Sequence, residues 1–320
     1  MKKLLLSFAI LSMATMASAQ DAAKPAAGDT TAADTAAPKY WTIEGGVGLM
    51  LNQVGLYRWQ GGGEPSFSAT LLYKSVYNYK KGKISWDNYV DLAYGLIQQG
   101  KNDLTKSDDR WEVGTKFGRQ LNDKWDVNVF ATLRSQFAEG FDPDDVNLRI
   151  SDLMAPGYLL TGIGANYKKG DWLNVNLSPV TGKITFVLND SIANLEVVDD
   201  AGAGTGKGKY GNDVGKNVRN EFGAYAKISI KKELIENVTL STQADFFSDY
   251  LHNFGAIDVN WNLTLLMKVN KYISCTVTTN LIYDEDISIV LEKNNLGEPT
   301  HIGPAVQFKE TVGVGFTYTY

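Results

Sequence analysis

Cysteine occurs once in the chain, at Cys275. That excludes an intramolecular disulfide and any cysteine-based metal cluster. Beyond the N-terminal segment no run of 18 or more apolar residues exists, so no helix is long and apolar enough to cross a membrane. Helical periodicity is nearly absent. Positive charge is also short: 31 Lys and Arg face 36 Asp and Glu, a net charge of −5, which argues against a nucleic-acid partner. The glycine-rich "AGAGTGKGKYG" is not a phosphate loop. Ala201 stands where the first glycine belongs, Gly208 replaces the Ser or Thr, and no helical pattern follows. No cofactor is expected.

What is present begins with an export signal. Lys2 and Lys3 precede the short apolar run Leu4–Met16, and Ala17-Ser18-Ala19 gives a small-x-small cleavage site. Residues 1–19 read as a secretory signal peptide. Residues 20–39 contain mostly Ala, Asp, Thr and Pro, with no aromatic or large aliphatic side chain. Such a stretch cannot bury enough surface to fold and reads as a disordered lead-in. Residues 40–320 remain, a length acceptable for one β-barrel.

From Tyr40 onward the dominant period is two, the signature of strands with two unlike faces. Trp125, Val127, Val129, Ala131, Leu133 and Phe137 share one parity, opposite Asp126, Asn128, Thr132, Arg134 and Gln136. Ile257, Val259, Trp261, Leu263, Leu265, Met267 and Val269 do the same against Asp258, Asn260, Asn262, Thr264 and Lys268. The runs last about 12–15 residues, against about 5–6 in globular strands and about 9–11 needed to span a bilayer. Cys275 falls in one of them as a small buried or lipid-facing residue.

The connections alternate in length. Those around Gly82, at Leu121–Lys124, Lys168–Asp171, Lys232–Asn237 and Asn270–Lys271 are short. Those at Leu56–Pro65, Gly100–Ser107, Glu139–Ala155, Ser191–Lys216 and Asp286–Pro304 are longer, with only His252–Gly255 short among them. The expected fold is therefore all-β: a single transmembrane antiparallel up-and-down β-barrel of about 12 strands, with short periplasmic turns and long outer loops. It would sit in the outer membrane with both termini periplasmic. Asp171–Asp190 contains Pro179 and Gly182 and is read as one bulged strand, which keeps the loop parity.

Two further features fit a membrane. Trp41, Trp86, Trp111, Trp125 and Trp172 fall at expected strand starts, where headgroup-level girdles sit. The terminal "VGVGFTYTY" alternates to its last residue, so the last strand is expected to pair with the first and close the ring. Phe316, Tyr318 and Tyr320 resemble the C-terminal signal that outer-membrane assembly machinery recognises. Outer-membrane lipid and that machinery are the expected partners.

"RWQGGGEPSFS", Arg58–Ser68, resembles the Trp-x-x-Gly-Gly-x-x-x-x-Ser hallmark of a Bacteroidota family of unknown function, domain of unknown function 3078. The likeness continues through "KISWDNYVDLAYGL", "FATLRSQFAEGF" and "ISDLMAPGYLLTGIGANY", and covers most of Trp41–Tyr320. It implies an outer-membrane-type barrel and brings no substrate, cofactor or catalytic residue.

Candidate functional residues follow from inward parity: Glu112, Lys116, Asp126, Arg134, Lys227, Lys231, Asp245, Asp258 and Lys268 bring both signs of charge into the lumen. They either close it as a salt-bridge network or line a narrow pore without strong ion selectivity. In the first outer loop, Gly61, Gly62 and Gly63 serve a tight hairpin, or let Arg58 and Trp59 fold inward as a plug. Ser248, Asp249 and His252 are close in sequence, yet Ser248 and Asp249 face opposite sides of a strand. With His301 they motivate only a minor reading as a rim hydrolase; no enzyme activity and no metal site are expected. The acidic stretches Asp142–Asp145, the one ending at Asp200, and Asp284–Asp286 read as solvated charge. The leading function is a narrow pore or small-solute transport barrel. The alternative is a closed barrel that binds a surface partner through its outer loops.

The face assignment predicts a difference between two neighbours. Leu265→Arg on the lipid side costs about 2–4 kcal/mol near the midplane, so it blocks insertion, while Asn262→Arg on the lumen side is tolerated. Folding into lipid vesicles, read by heat-modifiable gel mobility, checks this.

Overall fold

Twelve alternating segments close into a ring. In the computed structural model, residues 40–57, 64–142, 145–252, 254–294 and 299–320 are described. Residues 1–39, where the signal peptide and lead-in are expected, and Arg58, Trp59, Gly61, Gly62 and Gly63 lie outside them. The barrel strands are β1 (Trp41–Val54), β2 (Ser66–Lys81), β3 (Ile84–Gln99), β4 (Thr105–Gln120), β5 (Trp125–Ser135) and β6 (Gly157–Lys169). They continue with β7 (Leu173–Phe186), β8 (Val218–Ile235), β9 (Val238–Asp249), β10 (Asp258–Lys268), β11 (Ile273–Tyr283) and β12 (Gln307–Thr319). Each pairs antiparallel with its sequence neighbours, and β12 returns to β1.

The ladder fixes the faces. Leu49 pairs with Leu71 and with Phe316, and all three are exposed on the outside. Val113, Val129, Ile163, Leu177, Ile228 and Val314 continue this apolar belt. At the short-turn end Trp41, Tyr79, Trp86 and Phe117 follow one another in register across β1–β4. The Trp41 ring lies 5.2 Å from Tyr79 and 5.8 Å from Trp86. Trp125 stacks beside Tyr167 at 5.1 Å on the same rim. These aromatics form a girdle, with the apolar body toward lipid and the polar tip at its edge. Trp111 departs from the expected pattern. Its strand begins six residues earlier, at Thr105, so Trp111 is interior and donates to Gln136 O at 3.1 Å.

β7 is one strand with a bulge. Its register shifts against both neighbours where Pro179 interrupts the ladder. Pro179 has no N–H to give, and the Ser178 hydroxyl donates to Ile163 O at 2.8 Å. A Cβ on Gly162 would lie 2.6 Å from both Ser178 Oγ and Thr181 Oγ1, so the bulge needs glycine opposite it.

The last residue locks the ring. Tyr320 N donates to Gly45 O at 3.0 Å, and Gly45 N donates back at 3.1 Å. The Tyr320 hydroxyl donates to Ser75 Oγ at 3.2 Å, which carries the contact across to β2. The longer connections hold more structure than alternation reveals. Three small two-stranded sheets lie there (Gly140–Phe141 with Arg149–Ser151, Glu196–Val198 with Gly204–Gly208, Ser288–Lys293 with Pro299–Pro304), and a helical turn at Asp190–Ala193. Asn189 caps that turn by accepting from Ser191 N and Ile192 N. Val187, Ile192, Ala193 and Ala155 form a small core there. "AGAGTGKGKYG" supplies the Gly204–Gly208 strand.

A Cβ on Gly45 would fall 2.6 Å from the Tyr320 hydroxyl. Gly45→Val therefore displaces Tyr320, and the folded gel band unfolds at a lower temperature. Truncation of Phe316–Tyr320 is harsher, because it strips backbone partners from β1 where lipid offers none; no folded band forms.

Candidate functional site in the lumen

The inward face meets itself across the barrel. Phe130 of β5, Tyr225 of β8 and Phe247 of β9 pack together with Leu160 of β6 and are nearly water-free. The Phe130 and Tyr225 rings are 5.4 Å apart. The Tyr225 hydroxyl donates to Asp245, and the Tyr89 hydroxyl to Glu112 Oε1 at 2.5 Å. Lys227 Nζ lies 5.9 Å from the Tyr89 ring, joining β8 to β3 five strands round the twelve-strand ring. This is a bar through the middle of the lumen.

A second bar crosses near the long-loop end. Lys183 Nζ of β7 donates to Asp258 Oδ2 at 2.7 Å, Glu221 Oε1 at 3.2 Å and Asp284 Oδ2 at 3.3 Å. Arg219 Nη2 joins Glu221 Oε1 at 3.1 Å and also bonds Asp286. Glu221 is 3% exposed, and its Oε2 has no hydrogen-bond partner among the described residues. Asp284 and Asp286, expected as solvated charge, instead hold lumen cations, because the turn after β11 brings them back over the mouth. A third bar joins β12 to β4: Lys309 Nζ lies 3.2 Å from Asp108 Oδ1 and donates to Ser107 O at 3.1 Å.

Other inward charges pair locally. Lys116 meets Asp87 at 3.3 Å, and Asp91 lies between Lys74 at 3.5 Å and Arg110 at 3.3 Å. Buried Asp126 accepts from Asn128 and Asn166 and meets Lys168 at 3.4 Å. Arg134 lies over the Tyr158 ring at 4.9 Å. Of the nine expected inward residues, Glu112, Lys116, Asp126, Arg134, Lys227, Asp245 and Asp258 join these contacts. Lys231 and Lys268 share the parity but are exposed at the short-turn rim. Tyr89, Phe130, Tyr225, Phe247, Lys183 and Glu221 were not singled out from sequence. The aromatic ones occupy positions of polar parity, the available signal; Lys183 lies beyond the Pro179 bulge, which offsets its strand's alternation.

The bars are unevenly distributed. Most buried inward polar groups (Asn128, Asn166, Asn176, Ser178, Thr181, Thr185) belong to β5, β6 and β7, with Ser274 and Thr276 buried near the short-turn end of β11. On β10 and β11 the inward Asn260, Asn262, Thr264, Thr278 and Asn280 stay only half-buried. The Lys74 side chain is 70% exposed although it faces inward from β2. A solvent-reached lane therefore runs beside the bars past these residues and Lys74, while Gly48 and Met50 of β1 and Gly313 and Gly315 of β12 are buried.

At the long-loop rim, His252 Nδ1 lies 2.6 Å from Asp249 Oδ2. Ser248 pairs with Ala224 and Asp249 with Gly223, so the two alternate in face and the hydroxyl does not join the His–Asp pair. A cavity of about 410 Å³ there is lined by Arg219, Lys207, Asn220 and His252, among others. His301, in the Pro299–Pro304 strand, ties its hairpin to the neighbouring loop: its Nδ1 lies 2.9 Å from Asp200 Oδ2, and Ile302 N donates to Asp200 Oδ1 at 2.7 Å. Of Asp142–Asp145, residues 143–144 lie outside the described ones. Among the described residues no group of three His, Cys, Asp or Glu is arranged to hold a metal ion.

A closed ring with an apolar outer belt, an aromatic girdle and a polar lumen defines a transmembrane β-barrel. Residues 51–141 match the model of a family described as "Protein of unknown function (DUF3078)". That span takes in "RWQGGGEPSFS", "KISWDNYVDLAYGL" and "FATLRSQFAEGF"; "ISDLMAPGYLLTGIGANY" lies beyond it. No curated protein matches the chain. Among solved structures, the chain is similar to the translocator domain of autotransporter NalP from Neisseria meningitidis, with 10% identity, 87% of this chain and 88% of that one covered, and TM-score 0.30. It is also similar to the NanC porin (10% identity, 86% and 99% covered, TM-score 0.35). A third is outer membrane phospholipase A from Escherichia coli (12% identity, 86% and 95% covered, TM-score 0.34).

Removing one member of a buried ion cluster strands the others. Lys183→Met leaves Glu221, Asp258 and Asp284 facing one another and lowers stability by about 3–5 kcal/mol in urea titrations. The loop tie has its own pH window. The Asp200 hydrogen bond and charge hold the His301 imidazole above its ordinary value, and His301 holds Asp200 below its own. The His301 contribution is full below about pH 6.5 and is lost as pH rises through the elevated value. The Asp200 contribution is lost as pH falls through its lowered value. Protease cutting in the Ser288–Pro304 hairpin is therefore slower at mildly acidic than at alkaline pH, and His301→Ala removes the difference.

Proposed function

We propose that the protein is a narrow pore or small-solute transport barrel of an outer membrane, with both termini periplasmic. The observation that carries this reading is the uneven lumen: the aromatic cluster and the Lys183 cage fill the side of β5–β9 and leave Lys74 of β2 and Asn260, Asn262, Thr264, Thr278 and Asn280 of β10 and β11 in contact with solvent. A twelve-strand ring lies between small barrels filled by side chains and large ones with open channels. Because most of the lumen carboxylates lie against a Lys or Arg, the lane has little selectivity between cations and anions. Lipid covers the belt, and Phe316, Tyr318 and Tyr320 present the closing strand to the assembly machinery.

A second reading, a closed barrel acting through its outer loops, draws on the Lys183 and Lys309 bars at the mouth and on the His301–Asp200 tie. No catalytic role enters either reading, since Ser248 does not join His252 and Asp249. Planar-bilayer recording separates the two readings. The pore gives small, weakly selective steps that grow in Lys309→Ala, which removes the exposed bar. Silence of both proteins, each shown to be folded, favours the closed barrel. His252→Ala leaves the steps unchanged.

A further inference from the structure

The wall opposite the bars carries almost no charge. Between its ends, the inward positions are Gly46, Gly48, Met50 and Asn52 on β1, and Thr311, Gly313, Gly315, Thr317 and Thr319 on β12. On β11 they are Ser274, Thr276, Thr278 and Asn280, and on β10 Asn260, Asn262, Thr264 and Leu266. That is a run of four adjacent strands, β10, β11, β12 and β1, without a formal charge in its middle. Chance placement is an inadequate account, because Asp245 of β9 pairs in register with Asn260 and Lys227 of β8 with Asp245, and the inward positions of β3 and β4 carry Asp87, Asp91 and Glu112.

Within this wall three amides meet. Asn280 Nδ2 donates to Asn262 Oδ1 at 2.7 Å and to Asn260 Oδ1 at 3.1 Å, and Asn262 Nδ2 donates to Asn260 Oδ1 at 3.3 Å. These bonds leave the Asn260 amide nitrogen and the Asn280 carbonyl oxygen without side-chain or backbone partners among the described residues. The Thr264 hydroxyl is in the same condition, and the Thr278 hydroxyl reaches only Thr311 O at 3.5 Å. All five residues are half-buried, so water reaches them. The register places Asn262 beside Asn280, and Thr264 beside Thr278, one step along the same face.

Resting on the pore reading, we infer that this amide–hydroxyl patch is the contact site of the lane and that it takes uncharged polar solutes carrying both donors and acceptors, such as small polyols and amides. An ion entering the lane gives up water and meets dipoles without a net countercharge. Lys74 and Arg110 share Asp91, which offsets one of their two charges and leaves a single exposed positive charge on β2–β4, well screened by solvent. A neutral solute exchanges its water hydrogen bonds for bonds to Asn260, Asn280, Thr264 and Thr278 and crosses with a smaller loss. The patch also explains why Asn, rather than a charged residue, recurs at adjacent inward positions: amides supply a donor and an acceptor at one place.

The test is swelling of vesicles that contain the full-length refolded protein. Glycerol, acetamide and arabinose are compared with ethylammonium chloride and sodium acetate, and reversal potential is measured in a potassium chloride gradient. The neutral solutes are expected to enter several-fold faster than the salts, with a reversal potential near zero. The double variant Asn262→Asp with Thr278→Asp is expected to cut arabinose entry several-fold and to shift the reversal potential toward cation selectivity. Thr278→Ser, which keeps the hydroxyl, retains the wild-type preference. Equal entry of neutral and charged solutes, or a double variant that keeps the wild-type preference with its folded gel band intact, overturns this inference and leaves the pore standing. No swelling with any solute, in wild type and in Lys309→Ala alike, overturns the pore reading and this inference with it.

Discussion

Backbone pairing without an edge is the constraint on which the rest depends. In lipid an unpaired N–H or C=O costs several kcal/mol, far more than one aromatic contact supplies. β12 must therefore return to β1 and stay paired along the membrane. The last residue still exchanges two backbone hydrogen bonds with Gly45. Glycine at that place follows from the same demand, since the Tyr320 ring occupies the space a side chain would take. Closure sets the face of every other residue, because a slip of one residue would exchange lipid face and lumen face throughout the ring.

Once closed, the ring must deal with its interior. Charges confined there stay favourable only when paired and hydrogen-bonded. The Lys183 cage meets this by drawing carboxylates from β8, β10 and the turn after β11, so one cation ties distant parts of the circumference together. Phe130, Tyr225 and Phe247 add a dry patch below it. Contacts such as Phe130–Tyr225 and Lys183–Asp258 join strands three places apart, and a sequence pattern of period two reports only which side a residue faces. Partners across the lumen are therefore not legible in it.

The legible part was what local physics dictates. Strand count, loop parity and the closing strand follow from alternation and turn residues, and β7 stays whole because Pro179 sits at a bulge rather than at a break. Glu112, Asp126 and Asp245 fall on the lumen side as their parity requires. Trp111 shows the limit: Thr105–Ser107 is polar enough to read as loop, but pairing with β3 draws it into the strand and leaves Trp111 further from the strand start. Asp284 and Asp286 show another, since a loop carboxylate looks solvated until the barrel brings Lys183 and Arg219 beneath it. Small sheets in the long loops were hidden for a similar reason; Gly204–Gly208 has almost no side chains from which to read a pattern.

The bars differ in strength, and that difference orders their behaviour. Lys183 sits in a buried cage, where loss of a partner costs about 3–5 kcal/mol. Lys309 and Asp108 form a partly exposed pair, 49% and 28% open to solvent, of a kind that contributes about 0–1 kcal/mol. Thermal motion and salt break the second pair long before the first. The Lys183 side of the mouth thus stays fixed while the Lys309 side yields, and the yielding side is the one that adjoins the uncharged wall of β10–β12 and β1. The weakest crossing contact thus adjoins the uncharged wall, and its loss leaves the buried framework of the barrel, centred on Lys183, undisturbed.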